Sequence, residues 1–187
     1  MFRFFVSCTI LCLGASVYAS GVVSPRAPAV GEAFGLYAYG ESVGGLSLFY
    51  ADGKAMIGDP ANSTALTTSS VYFERSPESS DSTFIANSNG TTNANASWSD
   101  EMLYIPSSSS SSHEMGFTST NMTNETTTGF LFYGQWLMVK SESGDISSSF
   151  YVEESSLGEG IYSLLWDVSD DTSAIPVSLR SVEPSTA

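Results

Sequence analysis

The sequence predicts an all-β fold, either an antiparallel β-sandwich of the jelly-roll or immunoglobulin-like kind or a β-barrel. Three observations support this prediction. From Ala33 onward aromatic and β-branched residues alternate with small polar ones, and glycine or aspartate interrupts them about every ten residues. No long stretch has apolar residues at the spacing of a helix face. A series of short strands without intervening helices is typical of these antiparallel folds.

The first predicted strand covers Phe34–Tyr39, and a hairpin follows it. Residues 46–50 alternate between the two faces of a strand, and Lys54–Ile57 is expected to return antiparallel. Between them, Asp52 and Gly53 supply the two positive-φ positions of a type I′ turn. Four further short strands are expected over Ser70–Glu74, Thr83–Ala86, Met102–Ile105 and Met115–Ser119.

The C-terminal part of the chain predicts another set of strands. Phe130–Lys140 is apolar at both alternating positions, which is typical of a central strand covered on both sides, so Trp136 is expected in the core. After a turn at residues 143–145, a strand is expected over Ile146–Val152. The last pair is expected over Ile161–Val168, which places Trp166 in the core, and Ile175–Val182. Because Pro176 cannot donate a ladder hydrogen bond, the final strand should begin there or lie at an edge.

Residues 1–19 have the layout of a secretory signal peptide. A positive charge at Arg3 precedes an apolar run over residues 4–13, and small residues end at a predicted cleavage site between Ala19 and Ser20. The apolar run is too short to cross a bilayer as a helix, and we expect no membrane span elsewhere. Both cysteines of the chain lie in this segment. The mature protein is therefore expected to be extracellular or associated with a cell wall, and to be held together without disulfides.

The remaining chain is predicted to consist of an extended arm and one domain. Residues 20–32 contain prolines that favour extended backbone, and residues 33–187 are expected to form a single β-sandwich domain. Polar loops rich in serine, threonine and asparagine are predicted at about 87–99, 106–114 and 118–128.

Five Asn-x-Ser/Thr sequons lie in the central third of the chain and are predicted sites of N-glycosylation: Asn62, Asn89, Asn95, Asn121 and Asn124. If they are occupied, sugar covers the central loops and leaves the terminal hairpins bare.

The charge of the chain excludes some classes of partner. Twenty acidic residues oppose six basic ones, so the net charge is −14. A potential of this sign repels nucleic acid and anionic lipid, and we predict no nucleic-acid binding.

Three clusters of polar residues are candidates for a catalytic or metal site. His113 is the only histidine, and it stands among serines without a nucleophile-elbow motif, so we expect an exposed loop residue. The acids at positions 167, 170 and 171 could offer oxygens to calcium, but they lack the spacing of a full calcium motif. Glu153 and Glu154 end an aromatic strand, as acids of some secreted glycosidases do, yet no second acidic strand accompanies them. We predict no catalytic residue, no metal and no cofactor.

Trp98 is the one tryptophan whose neighbours are all small or polar. A tryptophan in such a loop can stack on the apolar face of a sugar ring, pack on its own glycan, or cover the end of the fold. It is the candidate for a ligand contact.

The stretches FGLYAYGESVGGLSLFYADGKAMIGDP, TTTGFLFYG and IPVSLRSVEPST resemble a group of uncharacterised small secreted proteins of filamentous ascomycete fungi. The clearest shared residues are Gly35, Tyr37, Gly40, Gly44, Gly45, Tyr50, Ala51, Asp52, Gly53 and Gly58. The resemblance implies a fungal, extracellular setting and carries over no catalytic or binding residue.

The sequence favours a secreted, N-glycosylated recognition protein without enzymatic activity. Its expected partners are a wall polysaccharide or a protein surface, bound through exposed aromatic residues and through the glycan-free surface that the terminal hairpins form. Two alternatives stay open, a carbohydrate-active hydrolase with paired carboxylates and a structural coat glycoprotein of the cell surface.

Overall fold

The computed structural model describes residues 26–76, 82–91, 98–168 and 173–185. The predicted signal peptide and its cleavage site, the sequon at Asn95 and the acids Asp170 and Asp171 lie outside these ranges. In chain order the described strands are β1 (Tyr37–Gly40), β2 (Val43–Ala51), β3 (Lys54–Ile57), β4 (Thr68–Arg75), β5 (Phe84–Thr91), β6 (Glu101–Pro106), β7 (Gly116–Thr118), β8 (Glu125–Thr126), β9 (Phe130–Tyr133), β10 (Trp136–Lys140), β11 (Ile146–Ser147), β12 (Phe150–Glu154), β13 (Tyr162–Trp166) and β14 (Ile175–Arg180). One short 3-10 helix covers Pro60–Asn62.

Ten of these strands form a closed antiparallel barrel. Around the ring their order is β1, β2, β4, β5, β6, β7, β3, β13, β12 and β14, and β14 pairs with β1 to close it. β2 and β3 also pair directly as a hairpin. The other four strands are additions to the ring, since β8 pairs with β6, and β9, β10 and β11 form a group joined to β14 through β10. The all-β prediction is confirmed, and of the two architectures left open the structure has the barrel.

The β2–β3 hairpin forms as its sequence predicts. Asp52 and Gly53 have φ values of 48° and 86°, the conformation that a type I′ turn requires and that glycine adopts without a steric penalty. The carboxylate of Asp52 also accepts hydrogen bonds from the backbone nitrogens of Leu66 at 3.0 Å and Thr67 at 2.7 Å. The turn is thereby fixed to the segment that leads into β4.

Phenylalanine side chains fill the barrel interior, as side chains fill other barrels of small diameter. Phe84 packs edge-on against Phe34 at 5.1 Å and is stacked with Phe130 at 5.2 Å between ring centroids. A second, smaller cluster lies behind the β2–β3 hairpin, where Phe49 and Met56 are fully buried. These buried aromatic rings contribute much of the apolar surface that the core removes from water.

The prediction of one central strand over Phe130–Lys140 is wrong. The segment is a hairpin, β9 and β10, whose turn contains Gly134 at φ 63° and Gln135. One face of this hairpin packs into the core, and the other face carries exposed aromatic rings. The segment is therefore apolar at both alternating positions. Trp136 is 37% exposed and Tyr133 is 78% exposed, so the expectation that Trp136 belongs to the core is wrong too.

Three other boundaries differ from the predictions. The strand expected over Ile146–Val152 is interrupted between β11 and β12, and Ile146 is exposed. β5 runs into the predicted loop at 87–99, and β8 lies within the predicted loop at 118–128. Pro176 is the second residue of β14, which agrees with the prediction that this strand begins there.

Candidate functional site

A row of four side chains crosses the outer face of four adjacent strands. We name it the aromatic strip, and its members are Tyr39 on β1, Arg180 on β14, Trp136 on β10 and Tyr133 on β9. Trp136 is the register partner of both Arg180 and Tyr133, and register partners on antiparallel strands share a face. Tyr39 lies two residues further along β1, on the same face as Tyr37, which is the register partner of Arg180.

Alternation along the strands explains why this row faces outward. On β1, β14 and β10 the neighbouring residues Ala38, Leu179 and Leu137 are buried in the core. Successive side chains of a strand point to opposite faces, so the residues between them must point away from the interior. The aromatic strip is therefore a consequence of packing the core at the place where the ring closes.

The guanidinium of Arg180 lies between two aromatic rings. Its Cζ atom is 3.7 Å from the ring centroid of Trp136 and 4.6 Å from that of Tyr39. Stacking of this kind is favourable through the ring quadrupole and suits the planar guanidinium. The Tyr39 hydroxyl in turn donates to the Val182 carbonyl oxygen at 3.0 Å. Three of the four members are thus held in place before any ligand arrives.

Arg180 forms no ion pair with any described residue. The two ion pairs in the described part of the chain join Arg26 to Glu32 and Lys54 to Glu114, and the Arg180 Nε is buried without a hydrogen-bond partner there. A negative charge nevertheless lies near the strip. Burial raises the pKa of the neighbouring Tyr37, and the carboxylate of Glu183 raises it further.

A concave site, separate from the strip, lies at one end of the barrel, and we name it the barrel mouth. Its volume is about 890 Å³, and residues lining it include Ile105, Ser107, Thr126, Thr128, Leu131, Val139, Lys140, Glu142, Ser147, Trp166 and Asp167. Ile105 and Val139 are core residues, whereas most of the hydroxyl-bearing residues stand on the surrounding loops. The mouth therefore has an apolar floor and a rim of hydroxyl groups.

Trp98 lies against the barrel wall, where its ring is half-buried. It is stacked on Tyr50 at 4.4 Å and packs on Phe117 at 5.8 Å between ring centroids, and its indole Nε1 is buried without a partner among the described residues. Burial also raises the pKa of Tyr50, with smaller contributions from Glu101 and Asp52. The arrangement matches the expectation that Trp98 covers part of the fold more closely than the expectation of a freely exposed ring.

The predicted glycosylation sites that fall within the described residues are all exposed and lie off the strands of the aromatic strip: Asn62, Asn89, Asn121 and Asn124. Asn124 is next to the barrel mouth, because its carbonyl oxygen accepts from the backbone nitrogen of Ser107 at 2.9 Å. The other three are located on the 3-10 helix, on β5 and on the loop that precedes β8.

The candidate catalytic residues that the structure describes are not brought together. Glu153 and Glu154 are consecutive residues of β12 and so point to opposite faces, and the Glu153 carboxylate accepts from Ser173 Oγ at 3.1 Å. His113 is exposed and its Nδ1 lies 3.0 Å from the Trp166 carbonyl oxygen. Within the residues that the structure describes, no group of three or more histidine, cysteine or acidic side chains could hold a metal ion.

The aromatic strip was only partly accessible from the sequence. Tyr39, Tyr133 and Arg180 were not singled out, and Trp136 was assigned to the core. A signal for the exposed hairpin was present, since Gly134 interrupts the apolar run at the place where the turn forms. The signal for Arg180 was absent, because Tyr39, one of the two rings that it stacks on, is near the other end of the described chain.

Within the part of the chain that the structure describes, no helix is long and apolar enough to cross a membrane. In comparisons with known proteins, no family model, no curated protein and no solved structure matches this chain.

Proposed function

We propose that this protein is a secreted, N-glycosylated recognition protein that binds an extended neutral polysaccharide through the aromatic strip. The observation that carries the proposal is the pair of exposed rings, Tyr133 and Trp136, side by side on the outer face of β9 and β10 and braced by Arg180. The signal-peptide layout, the five sequons and the resemblance to secreted fungal proteins support an extracellular or cell-wall setting.

The geometry of the strip suits a chain of sugar rings. A pyranose has an apolar face that can lie on an aromatic ring, and aromatic side chains bury large areas at little cost in conformational entropy. Because strands in a sheet are about 4.8 Å apart, rings on neighbouring strands form a flat, continuous row. The guanidinium of Arg180 offers hydrogen-bond donors to sugar hydroxyls beside that row.

Charge favours a neutral polymer over an acidic one. The net charge of −14 repels polyanions at long range, and Glu183 lies close enough to the strip to raise the pKa of Tyr37. Chitin, β-glucan and cellulose are neutral chains of the required shape and are the first ligands to test.

Retention on insoluble chitin, β-glucan and cellulose tests the proposal. The wild-type protein should be retained by at least one of them, and Trp136→Ala should weaken binding about tenfold or more, as the loss of a central aromatic contact does in other interfaces. Tyr72→Ala is the matched control, because it removes a half-exposed tyrosine from the outer face of β4, away from the strip. If no polysaccharide retains the wild type, or if both variants bind as well as the wild type does, the aromatic strip is not a polysaccharide site.

The two alternative functions make different predictions in the same samples. A hydrolase would release reducing sugar from the retained polymer, and that release would be lost on Glu153→Gln or Glu154→Gln. A protein partner would leave polysaccharide retention absent and make binding of a partner surface sensitive to Trp136→Ala. A coat glycoprotein would be insensitive to every strip variant.

A further inference from the structure

The barrel mouth is separate from the aromatic strip but is formed in part by the same hairpin. Tyr133 and Trp136 flank the turn of β9 and β10, whereas Leu131, Val139 and Lys140 line the mouth nearer the other end. The floor includes Val139, which is 3% exposed, so a ligand that enters the mouth meets the packed core and cannot pass through it.

The chemistry of the mouth selects a class of ligand. Trp166 and two aliphatic core residues, Ile105 and Val139, offer an apolar surface, while the rim offers hydroxyl groups. No hydrogen bond joins the hydroxyls of Thr128 and Ser147 to another described residue, so both are available to a ligand. An apolar floor with a hydroxyl rim matches a molecule that has one apolar face and many hydroxyls.

The charged residues around the mouth restrict the class of ligand further. Lys140 stands beside two acids, Glu142 and Asp167, around the same opening. The local balance is therefore not positive, and an anionic ligand would gain nothing from it. A volume of about 890 Å³ is within the range of small-molecule sites and is large enough for more than one sugar unit.

We propose that the barrel mouth is a second binding site that takes a short neutral saccharide, such as the free end of a polysaccharide chain, with a sugar ring against Trp166. The ligand class rests on the function proposed for the aromatic strip, whereas the site itself is independent of the strip. The two sites divide recognition between them, because the open row accepts the interior of a chain and the closed mouth accepts an end.

The test follows the three tryptophan indole N–H signals in the ¹H–¹⁵N spectrum of the full chain, assigned by single Trp→Phe variants. Short oligosaccharides of chitin, β-glucan and cellulose are titrated in turn. We expect the Trp166 signal to shift in a saturable way with one of them. The double variant Thr128→Val/Ser147→Ala should weaken this binding about tenfold, since two hydrogen bonds are lost. The matched control Ser119→Ala/Thr120→Val removes two exposed hydroxyls outside the mouth and should change nothing.

The outcomes separate this inference from the proposed function. If Trp136→Ala abolishes polysaccharide retention while short sugars still shift Trp166, both proposals are supported. If a polysaccharide is retained but no short sugar shifts Trp166, or if the control variant weakens binding as much as the mouth variant, the inference about the mouth is overturned and the strip stands. If short sugars shift Trp166 but no polysaccharide is retained, the mouth stands and the strip does not. Repeating the titration on Asn124→Gln shows whether a glycan beside the mouth obstructs entry.

Discussion

Arg180 determines how rigid the aromatic strip is. Its guanidinium lies 3.7 Å from the Trp136 centroid and 4.6 Å from that of Tyr39, so two rings of the strip are fixed by the strand that closes the barrel. A ligand that meets a fixed ring loses less free energy to ordering than one that must immobilise it.

Arg180→Lys tests this bracing. Lysine keeps the charge but lacks the planar group that stacks on both rings, so we expect polysaccharide binding to weaken about threefold to tenfold with little change in the folded state. Isothermal titration on a soluble oligosaccharide of the retained polymer measures the effect. Arg75→Lys, on β4, is the control and should bind as the wild type does. Equal affinities of all three proteins would contradict a bracing role.

Glu101 gives a pH-dependent prediction. Burial raises the pKa of its carboxyl above the ordinary value of 4.5, so the folded protein holds this proton more readily than the unfolded chain. The stabilisation that comes from this proton is fully present below pH 4.5, and it is lost as the pH rises through the pKa of the folded state.

Glu101→Gln should therefore increase the free energy of unfolding at neutral pH by at most about 0.5 kcal/mol, seen as a small rise in Tm, and should leave Tm unchanged well below pH 4.5. Thermal unfolding over a pH series measures this. Glu41→Gln removes the same charge from an exposed position and corrects for the change in net charge. A larger gain for Glu41→Gln at neutral pH would exclude burial of Glu101 as the cause.

At the residue level, sequence reasoning located turn residues better than site residues. Asp52 and Gly53 were predictable because their conformation is a local property of two adjacent positions. Trp136 was placed in the core because hydrophobicity alone does not tell a core face from an exposed apolar one. Arg180 owes its role to rings on two other strands, which no window of sequence contains.

Among the elements, the β2–β3 hairpin shows how one side chain can join two segments. The Asp52 carboxylate accepts from the Leu66 and Thr67 backbone nitrogens at 3.0 and 2.7 Å, so it fixes the turn against the segment before β4.

Asp52→Ala should destabilise the protein by about 1–3 kcal/mol, because it removes both hydrogen bonds and leaves alanine at positive φ. The midpoint of urea unfolding measures the loss. Asp52→Asn retains an acceptor and tolerates the left-handed conformation, so it should lose clearly less stability. A loss as large as that of the alanine variant would show that the negative charge, and not the acceptor geometry, is what matters.

The β9–β10 hairpin was not predicted from the sequence, unlike the β2–β3 hairpin. Its eleven-residue apolar segment resembles one long buried strand, and the two-residue turn contains a single glycine, Gly134. Period-two patterning is the same whether a strand continues or folds back on itself, so the turn had to be read from that one residue.

Over the whole molecule, the large negative charge opposes compactness. The net charge is −14, and the described residues contain only two ion pairs, both exposed. Repulsion among dispersed carboxylates destabilises the folded state more than the expanded chain.

Screening should therefore stabilise the protein. Raising NaCl from about 0.01 M to about 0.15 M at neutral pH is expected to increase Tm by a few degrees. Near the isoelectric pH of about 4.1 the same salt step should have little effect, because the net charge is close to zero. A fall in Tm at neutral pH would mean that attractive pairs outweigh the repulsion.

Strand content was predictable from local pattern, whereas closure of the ring was not. Turn residues and alternation identify short strands one by one. Whether ten of them close into a barrel depends on pairs such as Tyr37 with Arg180, which are distant in the chain. The sequence pattern accordingly favours a sandwich and leaves the barrel as the alternative, whereas the structure has the barrel.

β14 pairs with both β12 and β1, so the ring cannot close until residues 175–180 have been synthesised. Until Ile175–Arg180 emerges, a nascent polypeptide would carry two unpaired edges, one on each side of the missing strand. Such edges are templates for pairing with other molecules. A chain that lacks β14 is therefore expected to associate with other copies more readily than the complete barrel does, until the final strand enters the gap.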